Sequence, residues 1–357
     1  MGRRRGILWL LTLAACGAPR LESSMQTIQG GTEDESHTYA IGLRLNETSL
    51  CSGTLIASNL VLTARHCIAE RSTSTDCEKA TFGKVTSVAG ISASTCTDLH
   101  AKDCVAWYGV KEIMTPDGTA ACGQDIALLI LSTNITTVTP ATPLLDSLAA
   151  TSPFTAIGFG KPHATTGTTG VRRVRKDIDM ICAPGYSAPK YDCSKMGKYL
   201  SDNDFLSGAG VCPGDSGAGA FDQDSVARKA PLAIGVASRG WGDAEDNCTY
   251  MIFNELAPHA SLIRTSGRKA ANAGAYPTPS WVTNVGDAGT PPVKKDRDAG
   301  SQVSLPVSAD AAPDAAAETK SSDPPASCAV SRGDRTASWI AVLFVAGLLR
   351  KRASRVR

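Results

Sequence analysis

The chain alternates between short apolar segments and polar punctuation, and the length of each apolar segment indicates what it builds. Thr54 to Thr63, Ile126 to Leu131, Ala156 to Phe159 and Leu232 to Ala237 are short and are broken by Gly, Pro, Ser and Asn. That is the punctuation of an all-β domain. Helix is expected only near the end of this region, around Glu255 to Arg264. An apolar run from Ile7 to Ala15, placed behind Arg3-Arg4-Arg5, reads as an export signal. From about residue 273 to 327 the chain is rich in Ala, Pro, Asp, Ser and Thr, with almost no large apolar side chains. Such a stretch buries too little surface to offset the cost of ordering, so a flexible linker is expected there. The last apolar run, Ala337 to Leu349, has thirteen residues, short of the roughly 20 of a stable membrane span. With Arg350-Lys351-Arg352 and Arg355 behind it, it is able to pause in a membrane with the basic cluster held inside. No internal repeat occurs at the periods of solenoids.

Length, 357 residues, allows two or three domains, but the compositional shifts favour one domain followed by a tail. Net charge is only +2, from 36 Lys and Arg against 34 Asp and Glu. No bulk field therefore points to nucleic acid or an acidic polymer as a partner. Twelve cysteines are many for a cytosolic chain and ordinary for an exported one. A metal-site reading is weak, because there is no CxxC pair and the spacing around His100 is irregular.

The densest chemistry lies in Cys212-Pro213-Gly214-Asp215-Ser216-Gly217-Ala218-Gly219. A serine hydroxyl is a poor nucleophile unless a base stands beside it and N–H donors face the oxyanion it makes. A candidate base lies in Thr63-Ala64-Arg65-His66-Cys67, and a candidate orienting carboxylate in Asp125-Ile126-Ala127-Leu128-Leu129. The order His, Asp, Ser is that of chymotrypsin-like triads. Ile28-Gln29-Gly30-Gly31 resembles the mature amino terminus of that family, and Cys51-Ser52-Gly53-Thr54-Leu55-Ile56 the strand before its histidine motif. Residues 28 to 265 thus resemble the chymotrypsin/trypsin-like serine proteases. His66 and Asp125 are 59 residues apart, longer than the usual family interval, and Asp125 and Ser216 are 91 apart, close to it. The extra length carries Cys77, Cys96 and Cys104 and reads as enlarged, disulfide-tied surface loops.

The resemblance implies two six-stranded antiparallel barrels with the site in the cleft between them and a carboxy-terminal helix, over 28–268. His66 and Asp125 would come from the first barrel and Ser216 from the second. Ser216 would attack a scissile carbonyl, His66 would move the proton, and Asp125 would hold the imidazole; the N–H groups of Gly214 and Ser216 would bind the oxyanion. After cleavage of Thr27-Ile28, ending a propeptide at 17–27, the ammonium of Ile28 would pair with Asp215. Thr27 stands where animal zymogens carry Arg or Lys, which implicates another protease in activation. Implied disulfides are Cys51-Cys67, Cys182-Cys193 and Cys212-Cys248. The remaining Cys77, Cys96, Cys104 and Cys122 allow three connectivities, with two further bridges expected.

In the implied specificity pocket, Gly210 occupies the place where trypsins carry an aspartate. Cleavage after Arg and Lys therefore loses its main support, and aromatic or medium aliphatic side chains are favoured instead. Ser238 and Gly240 would form the pocket wall within Ala237-Ser238-Arg239-Gly240. Arg239 replaces an expected tryptophan and reads as a solvated rim charge rather than a specificity device. Thr249 or Met251 would approach the pocket. His37, His100, His163 and His259 read as ordinary surface or core residues.

The leading reading is thus an exported serine endopeptidase needing no cofactor or metal, with protein or peptide substrates and protein inhibitors as partners and no oligomer implied. The alternative is a catalytically silent homologue serving as a surface binding or adhesion module. An esterase of unrelated fold fails, because no Gly-x-Ser-x-Gly elbow surrounds Ser216. Leu13-Ala14-Ala15-Cys16 resembles a bacterial lipoprotein box with Cys16 lipidated; an ordinary signal peptide with Cys16 incidental is the other option. Residues 328–357, with Cys328, the short apolar run and the arginines, resemble the carboxy-terminal surface-sorting tail of myxobacterial exported proteins. A permanent, marginal anchor is the alternative.

Overall fold

The computed structural model describes residues 31–146, 153–163, 165–189, 191–208, 211–212, 214–242 and 247–283. The export signal, Cys16, Thr27, Ile28, Gly210, Cys328 and the terminal apolar run lie outside the described residues. The architecture is mostly β, as the apolar pattern predicts. Six strands close an antiparallel barrel in the order Ala40–Leu45, Ser49–Ala57, Leu60–Thr63, Ala127–Leu131, Trp107–Met114 and Ile91–Ser94. The first hairpin turns through Asn46 and Glu47, both at positive φ (47° and 61°). This primed geometry matches the right-handed twist of the strands it joins. Every residue of Ala127–Leu131 is buried, because the Ala260–Gly274 helix covers the barrel where that strand runs. Continuous apolar sequence is the mark of a strand covered on both faces.

The second half is a ten-stranded sheet in which Phe154–Gly158, Gly219–Asp222, Leu232–Gly242, Cys248–Glu255 and Asp204–Ser207 are successive neighbours. Among the described residues its hydrogen-bonded order does not close into a second ring. Its path ends instead in the two-residue strands Thr32–Glu33 and Tyr186–Ser187, too short to bridge the edges. Its core is aromatic. Phe154 meets Phe205 and Phe253 edge-on at 5.7 and 5.2 Å, and Phe205 stacks on Phe253 at 5.0 Å. Such pairs add about 0.5–1.5 kcal/mol each beyond the area they bury.

Among the described residues five disulfides are formed: Cys51–Cys67, Cys77–Cys122, Cys96–Cys104, Cys182–Cys193 and Cys212–Cys248. They choose one of the three connectivities open in sequence for the middle four cysteines. Two of them brace the site directly, since Cys67 follows His66 and Cys122 lies three residues before Asp125.

The end of the domain differs from expectation. The stretch around Glu255 is strand, paired from Cys248 to Glu255 with Leu232–Gly242. Helix begins only at Ala260, after a 3₁₀ turn opened by Pro258, a residue whose fixed φ suits a helix start. The helix then runs past 268 to Gly274 and stops at Ala275, which is left-handed at φ 53°. Residues 273–283 are therefore not linker. Trp281 and Val282 are buried in the short helix Ser280–Thr283, and a Cβ on Gly267 would lie 2.4 Å from the Trp281 ring. Tyr276 Oη also donates to Asn59 Oδ1 at 2.7 Å, fastening the helix end to the barrel. Two large apolar side chains in a mostly small, polar stretch are enough to dock it.

Candidate active site

His66 sits in the 3₁₀ turn Arg65–Cys67, directly after the barrel strand Leu60–Thr63. Two of its N–H groups grip one carboxylate. The backbone N–H donates to Asp125 Oδ1 at 2.8 Å, and ring Nδ1 lies 2.7 Å from Oδ2. Ser238 Oγ donates to the same Oδ2 at 2.6 Å, and Asp125 is fully buried. Burial pushes the Asp125 carboxyl up, but the charge and hydrogen bonds of His66, with the bond from Ser238, hold it below the usual carboxylate range. An ionised acceptor at Oδ2 requires the proton on Nδ1, which leaves the lone pair of a neutral imidazole on Nε2. The ring remains partly open to solvent, with 19% of its side-chain surface exposed.

Ser216 lies in the turn Gly214-Asp215-Ser216-Gly217, which is held by Asp215 N–H to Cys212 O at 3.0 Å and Ala218 N–H to Asp215 O at 2.7 Å. Gly214 and Gly217 have φ of +96° and +84°, a region open to glycine at little cost. Space also excludes larger residues. A Cβ on Gly217 would lie 2.2 Å from Ser52 O, and one on Gly214 2.6 Å from Thr169 Cγ2. The N–H groups of Gly214 and Ser216 make no hydrogen bond to any other described residue. The Ser216 carbonyl accepts from Ser52 N–H at 2.8 Å and touches Cys67 Sγ at 3.5 Å, so the serine backbone abuts the histidine turn. Among the described residues Ser216 Oγ itself makes no hydrogen bond to His66. Such contacts are often long without substrate and tighten in the complex.

Ser52 is a connector that sequence reasoning missed. Buried in the strand Ser49–Ala57, it donates from Oγ to Gly214 O at 3.2 Å and accepts there from Phe159 N–H at 2.9 Å. One side chain thus joins the barrel to two loops of the second half. The only signal in sequence is its place in the Cys51-Ser52-Gly53 motif.

Asp215 points the other way, into the interior, and is fully buried. Its Oδ1 accepts from Gly160 N–H at 2.7 Å and its Oδ2 from Cys212 N–H at 3.0 Å. A Cβ on Gly160 would be 2.3 Å from the carboxyl carbon, so glycine is required there. Burial pushes the carboxyl up to about 7, against the pull of those two N–H groups and of Arg173. The expected partner, Ile28, is among the residues not described.

Ser238 and Gly240 lie on Leu232–Gly242 beside the site, and Gly240 pairs with Met251. Met251 is buried, and a Cβ on Gly240 would be 2.4 Å from the Tyr250 carbonyl. Arg239 departs from its reading as a solvated rim charge. Its side chain is only 10% exposed and its Nη2 donates to Asp204 Oδ2 at 2.8 Å. The buried carboxylate, 35 residues away in sequence, draws the guanidinium inward. Among the other histidines, His259 is buried and its Nε2 bonds the Gly123 carbonyl at 2.9 Å, supporting the segment that leads to Asp125. His37 bonds Asp34 and His100 bonds the Thr169 carbonyl, and neither is hydrogen-bonded to His66, Asp125 or Ser216 among the described residues. Among the described residues no group of three or more His, Cys, Asp or Glu is arranged to hold a metal ion.

The arrangement offers a histidine with its Nε2 lone pair available, a serine on a tight glycine turn, and two N–H groups there without a hydrogen-bond partner among the described residues. These are the parts of nucleophilic acyl transfer. The family model described as Trypsin matches residues 28–263, more than half of the chain, and the chain belongs to the trypsin family.

Proposed function

We propose that this member of the trypsin family is an exported serine endopeptidase activated by cleavage before Ile28. The family supplies the coarser statement, a serine peptidase acting on proteins or peptides. The finer reading rests on the paired grip of His66 on Asp125, which fixes the Nδ1–H tautomer and leaves Nε2 as the base. Ser216 Oγ attacks the scissile carbonyl as His66 takes its proton, and the imidazolium is stabilised by Asp125. The tetrahedral oxyanion is received by the N–H groups of Gly214 and Ser216. Collapse expels the amine, protonated by His66, and leaves an acyl-enzyme that water hydrolyses by the same steps in reverse. Asp215 then serves activation: the ammonium made by cutting Thr27-Ile28 pairs with its buried carboxylate and holds the oxyanion turn. All ten cysteines among the described residues form disulfides, which fits an extracellular protein. Among the described residues no helix is long and apolar enough to cross a membrane. Attachment through Cys16 or the tail remains part of the proposal.

Preference for aromatic or medium aliphatic side chains before the scissile bond belongs to the same reading, with buried Met251 behind the Gly240 wall as its support. The test is labelling of the purified chain by a fluorophosphonate, before and after controlled cleavage at Thr27-Ile28, with Ser216→Ala as control. Labelling that appears on cleavage and vanishes in the variant supports the reading. A correctly cleaved, folded chain that takes no label is instead the silent binding module.

A further inference from the structure

One charged side chain beside the site has no part in the mechanism above. Arg239 Nη1 donates to Ser238 Oγ at 3.1 Å, and its Nη2 donates to Asp204 Oδ2 at 2.8 Å and to the Tyr199 carbonyl at 2.7 Å. Asp204 is fully buried. Its Oδ2 also accepts from Ser201 N–H at 3.0 Å and Ser201 Oγ at 2.9 Å, and its Oδ1 from Asn254 Nδ2. A hydroxyl has one proton and two lone pairs. With a guanidinium N–H on one lone pair, the Ser238 proton is directed to Asp125 Oδ2, 2.6 Å away. An unbroken polar chain therefore runs from Asn254 and Asp204 through Arg239, Ser238 and Asp125 to His66.

We propose that Arg239 is a positioning residue for peptide hydrolysis: anchored by Asp204, it fixes the Ser238 proton on Asp125, and the balance of the two charges sets the basicity of His66. This rests on the reading of His66, Asp125 and Ser216 as the triad.

The other charged or titratable groups facing this chain are Arg65, Arg71 and His259. Arg65 precedes His66 and donates to the Pro116 and Gly118 carbonyls at 3.2 and 2.9 Å. Arg71, on the strand Ala69–Arg71, feels Asp125, Arg239 and Asp204, and His259 feels Asp204. All three stay unchanged in the variants below.

Two opposite effects follow. Removing the guanidinium takes away a cation and weakens the Ser238 donor on Asp125; both changes make the imidazolium easier to form, so the His66 pKa rises. Neutralising Asp204 leaves Arg239 uncompensated, which makes the imidazolium harder to form, so the His66 pKa falls. A residue acting through packing alone has no reason to give opposite signs.

The experiment titrates ¹³C-histidine-labelled full chain by NMR in the Ser216→Ala background, where no turnover is needed. The His66 signal is identified by its loss in His66→Gln. Arg239→Met is expected to raise proton affinity at His66 roughly threefold and Asp204→Asn to lower it by a similar factor. Arg239→Lys should fall between wild type and Arg239→Met. The double variant Arg239→Met/Asp204→Asn should lie below Arg239→Met and near wild type, because both charges are gone, and its fall relative to Arg239→Met takes the place of Asp204→Asn if an uncompensated arginine prevents folding. In the chain with Ser216 intact, the acid limb of kcat/KM per labelled active site should move with the NMR values. Shifts of the same sign, no shift, or Lys behaving as Met would overturn the proposal. Absence of fluorophosphonate labelling in wild type would overturn the peptidase reading instead, and the two failures are separable.

Discussion

The two sides of the cleft are built on different electrostatic terms. On the barrel side, Asp125 is buried with three donors, from His66 twice and Ser238 once, and its carboxylate stays ionised. On the other side, Asp215 is as deeply buried but has two backbone N–H donors and no cation in hydrogen-bond contact among the described residues, and its carboxyl is raised to about 7. Burial of a carboxylate is costly unless hydrogen bonds and charge offset it. The first side is complete as folded. Among the described residues the second has no cation in hydrogen-bond contact, and it lies directly beside the turn that carries Ser216. Under the proposed activation, the contrast means that the base is preformed and the oxyanion turn is conditional.

The largest effect should come from breaking the complete side. Asp125→Asn keeps the shape but loses the tautomer lock on His66, and kcat of the cleaved enzyme should drop by roughly 10⁴. A loss below tenfold, measured per labelled active site, would show that the paired grip is not what makes His66 a base.

The incomplete side should show itself in stability before cleavage. A carboxyl that holds its proton more tightly folded than unfolded stabilises the fold while protonated. The contribution of Asp215 is therefore full below its ordinary value of 3.8 and is lost as the pH rises through about 7. At about 1.4 kcal/mol per tenfold change in proton affinity, it is on the order of 4 kcal/mol. Asp34 and Asp125, whose values are lowered, act in the opposite sense, with losses confined to more acid pH. Denaturant midpoints of the uncleaved chain should thus fall between pH 4 and 7, and Asp215→Asn should flatten that slope. An unchanged slope in the variant would assign it elsewhere.

The smallest effect sharpens the comparison where the two sides meet. Ser52→Ala leaves Gly214 O and Phe159 N–H without their partner, at about 1–3 kcal/mol of stability. Because Ser52 makes no hydrogen bond to Asp125 or the His66 ring among the described residues, the His66 titration should stay where it was. Movement of that titration would mean the sides are coupled through this strand.

Much of this was legible along the chain, and the limits have physical causes. His66, Asp125 and Ser216 stand in motifs whose neighbours are fixed by local geometry, such as the glycines at 214 and 217. Ala127–Leu131 is readable because a strand covered on both faces has to be apolar throughout. Arg239 was misread because its burial depends on Asp204, Ser201 and Tyr199, none of them local to it. Ser52 carries no mark that distinguishes it from any buried serine. The domain end was misplaced because Trp281 and Val282 are two anchors in a stretch whose average composition is that of a linker. The pairing of Cys77 with Cys122 depends on loop paths that spacing alone does not rank.

The central claim is that cleavage supplies the charge that Asp215 lacks. It is tested most directly by following the ¹³C-labelled aspartate carboxyls in the Ser216→Ala chain, before and after cutting at Thr27-Ile28, with the Asp215 signal identified by its loss in Asp215→Asn. The account predicts titration near 7 in the uncleaved chain and a fall below the ordinary carboxylate range once the Ile28 ammonium docks. A carboxyl that still titrates near 7 after cleavage, in preparations whose Ser216-containing counterpart has become reactive to fluorophosphonate, would contradict it.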